Sequence, residues 1–530
     1  VVRVREANPA AKEEVSVVKL KVSLALIALA VGLIASPLGA NPRVDVVSDW
    51  AISDNMTALG FSPNPVPLDN NAPDNTDGVF NSDLAFQDDI VVQGTYSGFR
   101  LIDVTYPSRP KEIIDWTECA APTNTVGNQG DVIIWGDLIF RSWNSGTPAP
   151  QAPGGGSIPT TDPARYTTPG AFCGDWPMFR EPAAPPLPER GQEGVHIIDI
   201  SDPKNPDVIG FVDTPCGSHT ETLVPDLANG RLLIYSNSSA NTVFGGSDPA
   251  VTPASCAGID VIEVPLANPA AASYLRFEPA GDPEMDPDEG HHPCHDTGVI
   301  TAATNLVACA GSGSDVAMTG VNVFTMDPAQ GGSKADPKWI YHKDTGGSGI
   351  GHSAAFTYDG KVLIIGHEQG GGSGAECDPL DPPIERTFFF LDAQTGASLG
   401  QIAIPRLQTN LENCVTHNYN VVPLKNKNGK PRYVMVSGNY QSGISVIDFS
   451  DPANAKEIAY ADPPPLVDPN PPVGIELGGD WSSYWYNGRI YESDITRGLL
   501  IWRLDDPAVD TYIRTTGAVN PQTVTFNIDK

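Results

Sequence analysis

The sequence predicts an all-β chain of repeated four-strand units, and three observations carry that expectation. A short apolar core recurs seven times in one register. A hairpin pattern precedes each core, and turn residues punctuate the chain throughout, with 52 Gly and 50 Pro among 530 residues. Many short strands separated by Gly, Pro and Asp turns point to β-sheet rather than to long helices.

The seven cores begin at Arg100 (RLIDV), His196 (HIIDI), Asp260 (DVIEV), Asn322 (NVFTM), Phe389 (FFLDA), Ser445 (SVIDF) and Leu500 (LIWRL). Their next-to-last positions are Asp103, Asp199, Glu263, Thr325, Asp392, Asp448 and Arg503. The Asp residues at this position are expected to bond the turn that follows. An Asp-Pro pair follows several cores, as at Asp202-Pro203, Asp327-Pro328, Asp451-Pro452 and Asp506-Pro507. Proline has no amide to donate and a fixed φ, so each core strand stops there. Another short strand then leaves, such as Val208 to Asp213 or Glu457 to Ala461.

Ahead of the cores, hairpins are expected over Leu84 to Val92, Val132 to Ser142, Thr220 to Ser236, Thr297 to Ala310, Ala354 to Gly366, Asn418 to Ser437 and Trp481 to Ser493. Four strands repeated seven times are the signature of a seven-bladed β-propeller of four-stranded blades. One blade cannot bury both faces of its sheet, so stacking on its neighbours completes the core. The propeller is expected over 77–510, with the 41–76 segment or the 511–530 tail helping to close the ring. Val44 to Val47 and Thr511 to Thr515 are the strands expected to do so.

Residues 1–40 have the anatomy of a signal peptide. Lys19 and Lys21 precede an apolar run from Leu24 to Ala35, and Gly39-Ala40 resembles a cleavage site, placing the mature start near Asn41. The run is too short to favour a spanning helix. The polar leader Val1 to Val17 is unusual for such a signal, and a start at Val18 is one explanation. The expected location is therefore secreted, periplasmic or cell-surface, with no transmembrane domain in the mature chain and a monomeric state. A net charge of −32 argues against nucleic acid as a partner.

The resemblance that the units carry is to LVIVD repeats. It is clearest in VHIIDISDPKNPDVIG, SVIDFSDPANAKEIA and WSSYWYNGRIYESDITRGLLIWRL, and covers about Asp77 to Pro507. The Asp-Pro signature is partial or absent after NVFTM and FFLDA. The resemblance implies exported or surface propeller proteins of bacteria and archaea, and says little about chemistry.

Propeller topology puts the loop into each innermost strand and the loop between second and third strands on one face. The longest insertions, Asn144 to Glu193, Asn237 to Gly258 and Gln369 to Arg386, are all of the second kind. Function is expected on that face. All eight cysteines fall there: Cys119, Cys173, Cys216, Cys256, Cys294, Cys309, Cys377 and Cys414. An even count in an exported chain favours disulfides, and adjacency suggests Cys119–Cys173, Cys216–Cys256, Cys294–Cys309 and Cys377–Cys414 among the many connectivities allowed. A thiolate metal site is the other reading, against which stands the lack of any Cys-x-x-Cys pair.

At the head of each innermost strand stands a polar residue: Asp83, Asp131, His219, His295, His352, His417 and Asp480. Innermost strands line the axial channel, so these side chains are expected to ring one pore mouth, with His367 and His292 nearby. Three readings of the ring stand open. The residues cap their blades by bonding neighbouring backbone; they hold a transition metal such as Cu, Zn or Fe; or they form a metal-free acid–base site. Two oxygen-rich loops, Asp69 to Gly78 and Asp282 to Glu289, are candidate Ca²⁺ sites without EF-hand spacing. No P-loop, Gly-x-Ser-x-Gly or His-Glu-x-x-His motif occurs. The leading functional expectation is an exported protein that binds a protein, peptide or glycan through its loop-rich face. The alternative is a metal-dependent enzyme, oxidoreductase or hydrolase, with its site at the channel mouth.

Overall fold

The computed structural model describes residues 45–65, 80–120, 129–143, 172–173, 176–177, 194–214, 218–237, 258–280, 294–311, 320–346, 350–368, 372, 374–466 and 478–529. The chain forms a seven-bladed β-propeller, each blade an antiparallel sheet of four strands running outward from the channel. The innermost strands are Asn81–Gln87, Val132–Trp135, Thr220–Asp226, Asp296–Ile300, Ile350–Phe356, Tyr419–Val421 and Asp480–Tyr486, for blades 1 to 7 in turn. Every repeated core is the third strand of its blade, from Gly98–Asp103 in blade 1 to Gly498–Leu504 in blade 7.

The periodicity of the sequence reflects a repeated local geometry. In all seven blades the pairing of third and fourth strands is broken by a register shift, as between Leu101 and Ile102, Ile197 and Ile198, or Val446 and Ile447. A bulge there adds local twist to each blade. The Asp at the end of the core then accepts an amide of the turn: Asp103 from Thr105 (2.9 Å), Asp199 from Ser201 (2.7 Å), Asp448 from Ser450 (2.9 Å). Apolar cores fill the seams between blades, for example Ile133, Phe140, Val195, Leu223 and Leu232 between blades 2 and 3, and one continuous cluster runs through blades 4, 5 and 6. Leu84, Phe86, Tyr484 and Tyr491 join blade 7 to blade 1.

The 41–76 segment closes the ring, by a different strand from the one expected. Met56–Pro63 is the outermost strand of blade 7, antiparallel to Gly498–Leu504, so the first and last parts of the propeller share one sheet. Val44 to Val47 is not that strand: Asp45–Val47 is a 3-10 turn, and Ala51–Ile52 lengthens blade 6 instead. Thr511 to Thr515 forms no strand either. Beyond it the tail crosses the far end of the channel, where Ala518–Val519 pairs with the innermost strand of blade 1 and Thr523–Val524 runs parallel to that of blade 4. Asn520 bonds Ile134 of blade 2 through both amide atoms (2.8 and 3.0 Å), and Thr523 Oγ1 donates to Leu223 O of blade 3 (2.7 Å). Among the described residues no helix is long and apolar enough to cross a membrane.

Candidate metal centre

The heads of four innermost strands bring four imidazoles side by side. Ring centroids are 4.7 Å apart for His219 and His295, 4.2 Å for His295 and His352, and 4.2 Å for His352 and His417. All four rings are buried. Glu368, at the end of Val362–Glu368, closes the set, with Oε2 3.7 Å from His352 Nε2 and Oε1 3.7 Å from His417 Nε2. One donor atom from each of His295, His352 and Glu368 lies within 4.8 Å of the other two. Donors bound to one tetrahedral ion at about 2.1 Å lie about 3.4 Å apart, so this group needs only small side-chain movement to share an ion.

Hydrogen bonds decide which imidazole nitrogen is free. His295 Nδ1 faces the carbonyl of His352 (3.3 Å), and His417 Nδ1 the carbonyl of Trp481 (2.5 Å). A carbonyl only accepts, so Nδ1 carries the proton in both rings and Nε2 keeps its lone pair. Ser353 Oγ donates to Asn418 Oδ1 (2.9 Å) and therefore accepts from His352 Nδ1 (2.6 Å). Three neighbouring rings thus have the same tautomer, the one in which metal-ligating histidines are held by partners on their other nitrogen. Burial keeps them neutral: it pushes His295 down to about 4 and His417 to about 3, and holds His219 and His352 well below the ordinary imidazole value, where neighbouring imidazoles add to the effect.

Asp83, Asp131 and Asp296 line a small cavity together with His219, His352 and Trp481. Burial raises the pKa of both Asp83 and Asp131, and at Asp131 the charge of Asp83 adds to the effect. Asp83 also accepts Tyr484 Oη (2.6 Å) and, from the tail, Gln522 Nε2 (3.0 Å). Asp131 accepts the amides of Val132 (2.8 Å) and Glu221 (2.6 Å). Burial, then the charge of Asp83, pushes Asp296 up to about 7, and burial pushes Glu368 up to about 7.

Six of the seven expected ring residues therefore gather at the channel mouth: the four histidines, Asp83 and Asp131. Asp480 does not. Its Oδ2 accepts Ser483 Oγ (2.7 Å), and its carboxyl lies in the seam between blades 6 and 7, where a Cβ on Gly438 would come within 2.6 Å of Oδ1. A register shift between Asp480 and Ser482 turns Trp481 to the cavity instead, 5.0 Å from the His417 ring. His367 also points elsewhere, its ring tilted against Phe389 (5.0 Å between centroids) and bonded to Thr345 Oγ1 (2.6 Å). Its neighbour Glu368 is the residue that faces the imidazoles, because successive side chains on a strand alternate sides. Glu368 and Asp296 are site residues absent from the sequence reading; each directly follows a histidine that it singled out.

Cys294–Cys309 and Cys377–Cys414 are disulfides. Cys119 is disulfide-bonded, and backbone pairing places Cys173 opposite it. Cys216, Cys256, His292 and both candidate Ca²⁺ loops lie outside the described residues. A separate acidic group, Glu376, Asp381 and Glu385, brings its oxygens within 4.8 Å of one another on a loop of blade 5.

No sequence profile of a protein family matches the chain, and no curated protein matches it. Among solved structures it is similar to a putative 6-phosphogluconolactonase from Bacteroides uniformis ATCC 8492, at 11% identity and TM-score 0.40, covering 80% of this chain and 95% of that one. It is also similar to the computationally designed Ika8 protein, at 11% identity and TM-score 0.38, covering 83% and 100% respectively. Neither likeness bears on the chemistry of the channel.

Proposed function

We propose that the protein is an exported LVIVD-like propeller that works as a metal-dependent enzyme, oxidoreductase or hydrolase, with a transition metal held by His295, His352 and Glu368. The observation that carries this reading is the shared tautomer: His295, His352 and His417 all have Nδ1 engaged and Nε2 left for a ligand, beside one carboxylate. Two imidazoles and a carboxylate with open positions suit catalytic zinc or non-haem iron. Such an ion supplies a Lewis acid and an activated water or a redox centre. His219 and His417 flank the ligands. Asp83 and Asp131, both raised in pKa by burial, line one cavity with His219 and His352 and can hold or release a proton beside the substrate.

Elemental analysis of the purified protein tests the proposal. About one transition-metal ion per chain is expected, lost in a His295→Ala, His352→Ala double variant that remains folded. Protein that stays metal-free after separate incubation with Zn²⁺, Fe²⁺ and Cu²⁺ overturns it.

A second reading, binding of a partner through the loop-rich face, is favoured by three exposed leucines on adjoining loops: Leu380 (93% exposed), Leu411 (67%) and Leu407 (53%). Retention of labelled protein by intact cells, abolished by Leu380→Asp with Leu411→Asp, is its test; equal retention of the variant rejects it.

A further inference from the structure

Tyr440 lies in the turn between Val434–Gly438 and Ile444–Asp448 of blade 6, with φ +53°. The left-handed region is costly for a bulky residue, and such strain persists only where the surroundings hold it in place. Here they do. The amide of Tyr440 donates to Asp480 O (2.9 Å) and the amide of Asp480 returns a bond to Tyr440 O (2.8 Å), fastening this turn to the head of blade 7. Two glycines with positive φ leave the space it occupies: a Cβ on Gly479 would lie 2.3 Å from the Tyr440 carbonyl carbon, and one on Gly372 would lie 2.4 Å from its hydroxyl.

The result is a buried ring 4.3 Å from that of His417, whose hydroxyl donates to Glu368 Oε1 at 2.6 Å. Packing does not require that hydroxyl, since phenylalanine would fill the same volume. Its effect is on Glu368. With Oε1 held by Tyr440, the carboxylate is fixed in rotation, and Oε2 is the oxygen turned to His352 Nε2 at 3.7 Å.

We infer that Tyr440 is a positioning residue for the metal centre: its hydroxyl orients Glu368 so that Oε2 serves as the ligand beside His295 and His352. The inference rests on the metal reading above. Partners that orient a ligand typically contribute 10- to 100-fold to metal affinity (about that range).

The experiment is a competition titration of Zn²⁺ against a chromophoric chelator, using the full chain freed of metal, with wild type, Tyr440→Phe, Glu368→Gln and the double variant. Tyr440→Phe is expected to keep the far-UV spectrum of the wild type, to lower the thermal midpoint only by the loss of one buried hydrogen bond, and to bind Zn²⁺ about 10- to 100-fold more weakly. In the Glu368→Gln background the same change is expected to have little further effect, because the hydroxyl acts through that carboxylate. If wild type binds no Zn²⁺, Fe²⁺ or Cu²⁺, the metal reading fails. If wild type binds and Tyr440→Phe binds equally, or if the loss is the same with and without Glu368, the metal reading survives and the role of Tyr440 is refuted.

Discussion

Replacing His196 by phenylalanine isolates the contribution of one buried imidazole to acid stability. His196 lies in the third strand of blade 2, fully buried, with its ring 4.6 Å from Phe211 and 6.2 Å from Trp143. Neither ring nitrogen has a hydrogen-bond partner among the described residues. Burial first, and then the guanidinium of Arg141, push its pKa down to about 3. The folded state therefore keeps the ring neutral, while the unfolded chain takes up a proton as pH falls through about 6.5. Stability is complete above that value and is lost between about 6.5 and about 3. Each pH unit in that window costs about 1.4 kcal/mol, so at pH 4.5 the loss is about 3 kcal/mol. Phenylalanine fits the aromatic surroundings, removes the two unpartnered nitrogens and does not titrate. At pH 7 the variant is expected to be at least as stable as wild type. At pH 4.5 its advantage is expected to be about 3 kcal/mol larger, read as the difference between urea denaturation curves at the two pH values. Other titrating groups are common to both proteins and cancel in that difference. Parallel pH dependence in the two proteins would refute the burial argument.

Three further outcomes follow from the fold. Trp502 is fully buried, packs on Trp50 from the N-terminal segment (5.6 Å) and donates to Glu492 Oε2 (2.7 Å). Trp502→Ala should cost about 3–5 kcal/mol for the cavity and about 1–3 more for the stranded carboxyl, whereas Trp502→Phe should lose chiefly the second part; thermal denaturation separates the two. The disulfides close loops with sequence separations of 15 and 37. Paired Cys→Ser variants should therefore lose about 3 kcal/mol at Cys294–Cys309 and about 4 kcal/mol at Cys377–Cys414, and equal or negligible losses in denaturant titrations would contradict the chain-entropy account. Deleting 517–530 should leave the ring closed, because Met56–Pro63 closes it, yet free the amides of Val299 and Thr301, which donate to Gln522 O (2.8 Å) and Val524 O (2.9 Å). Hydrogen exchange should rise at those amides with far-UV signal retained; unchanged exchange there would contradict the placement of the tail.

The blades were legible because every third strand is apolar, five of the seven end on a residue that bonds the following turn, and each pairs with its fourth strand through a register shift, so the same physics wrote the same pattern repeatedly. The closing strand was not. Met56–Pro63 covers an outer edge, only three of its eight residues are buried, and MTALGFSP carries no strong apolar alternation. The tail was illegible for a related reason: its two strand contacts span two residues each, and side chains such as Asn520 do the rest. At the site, the order of His and Asp along the chain placed six side chains at one mouth. It failed for Asp480 and His367 because a shift of one residue on a strand reverses the face to which a side chain points. Glu368, Asp296 and Tyr440 needed that local geometry before their neighbours could be known.

The metal proposal requires His295, His352 and Glu368 to share an ion. The most direct measurement is an anomalous difference map from crystals of the metal-loaded protein, recorded on both sides of the absorption edge of the bound element. One peak is expected, about 2.0–2.2 Å from an imidazole nitrogen of His295, the Nε2 of His352 and a carboxylate oxygen of Glu368. A map that is flat at that point, or whose peak lies elsewhere on the molecule, would contradict it.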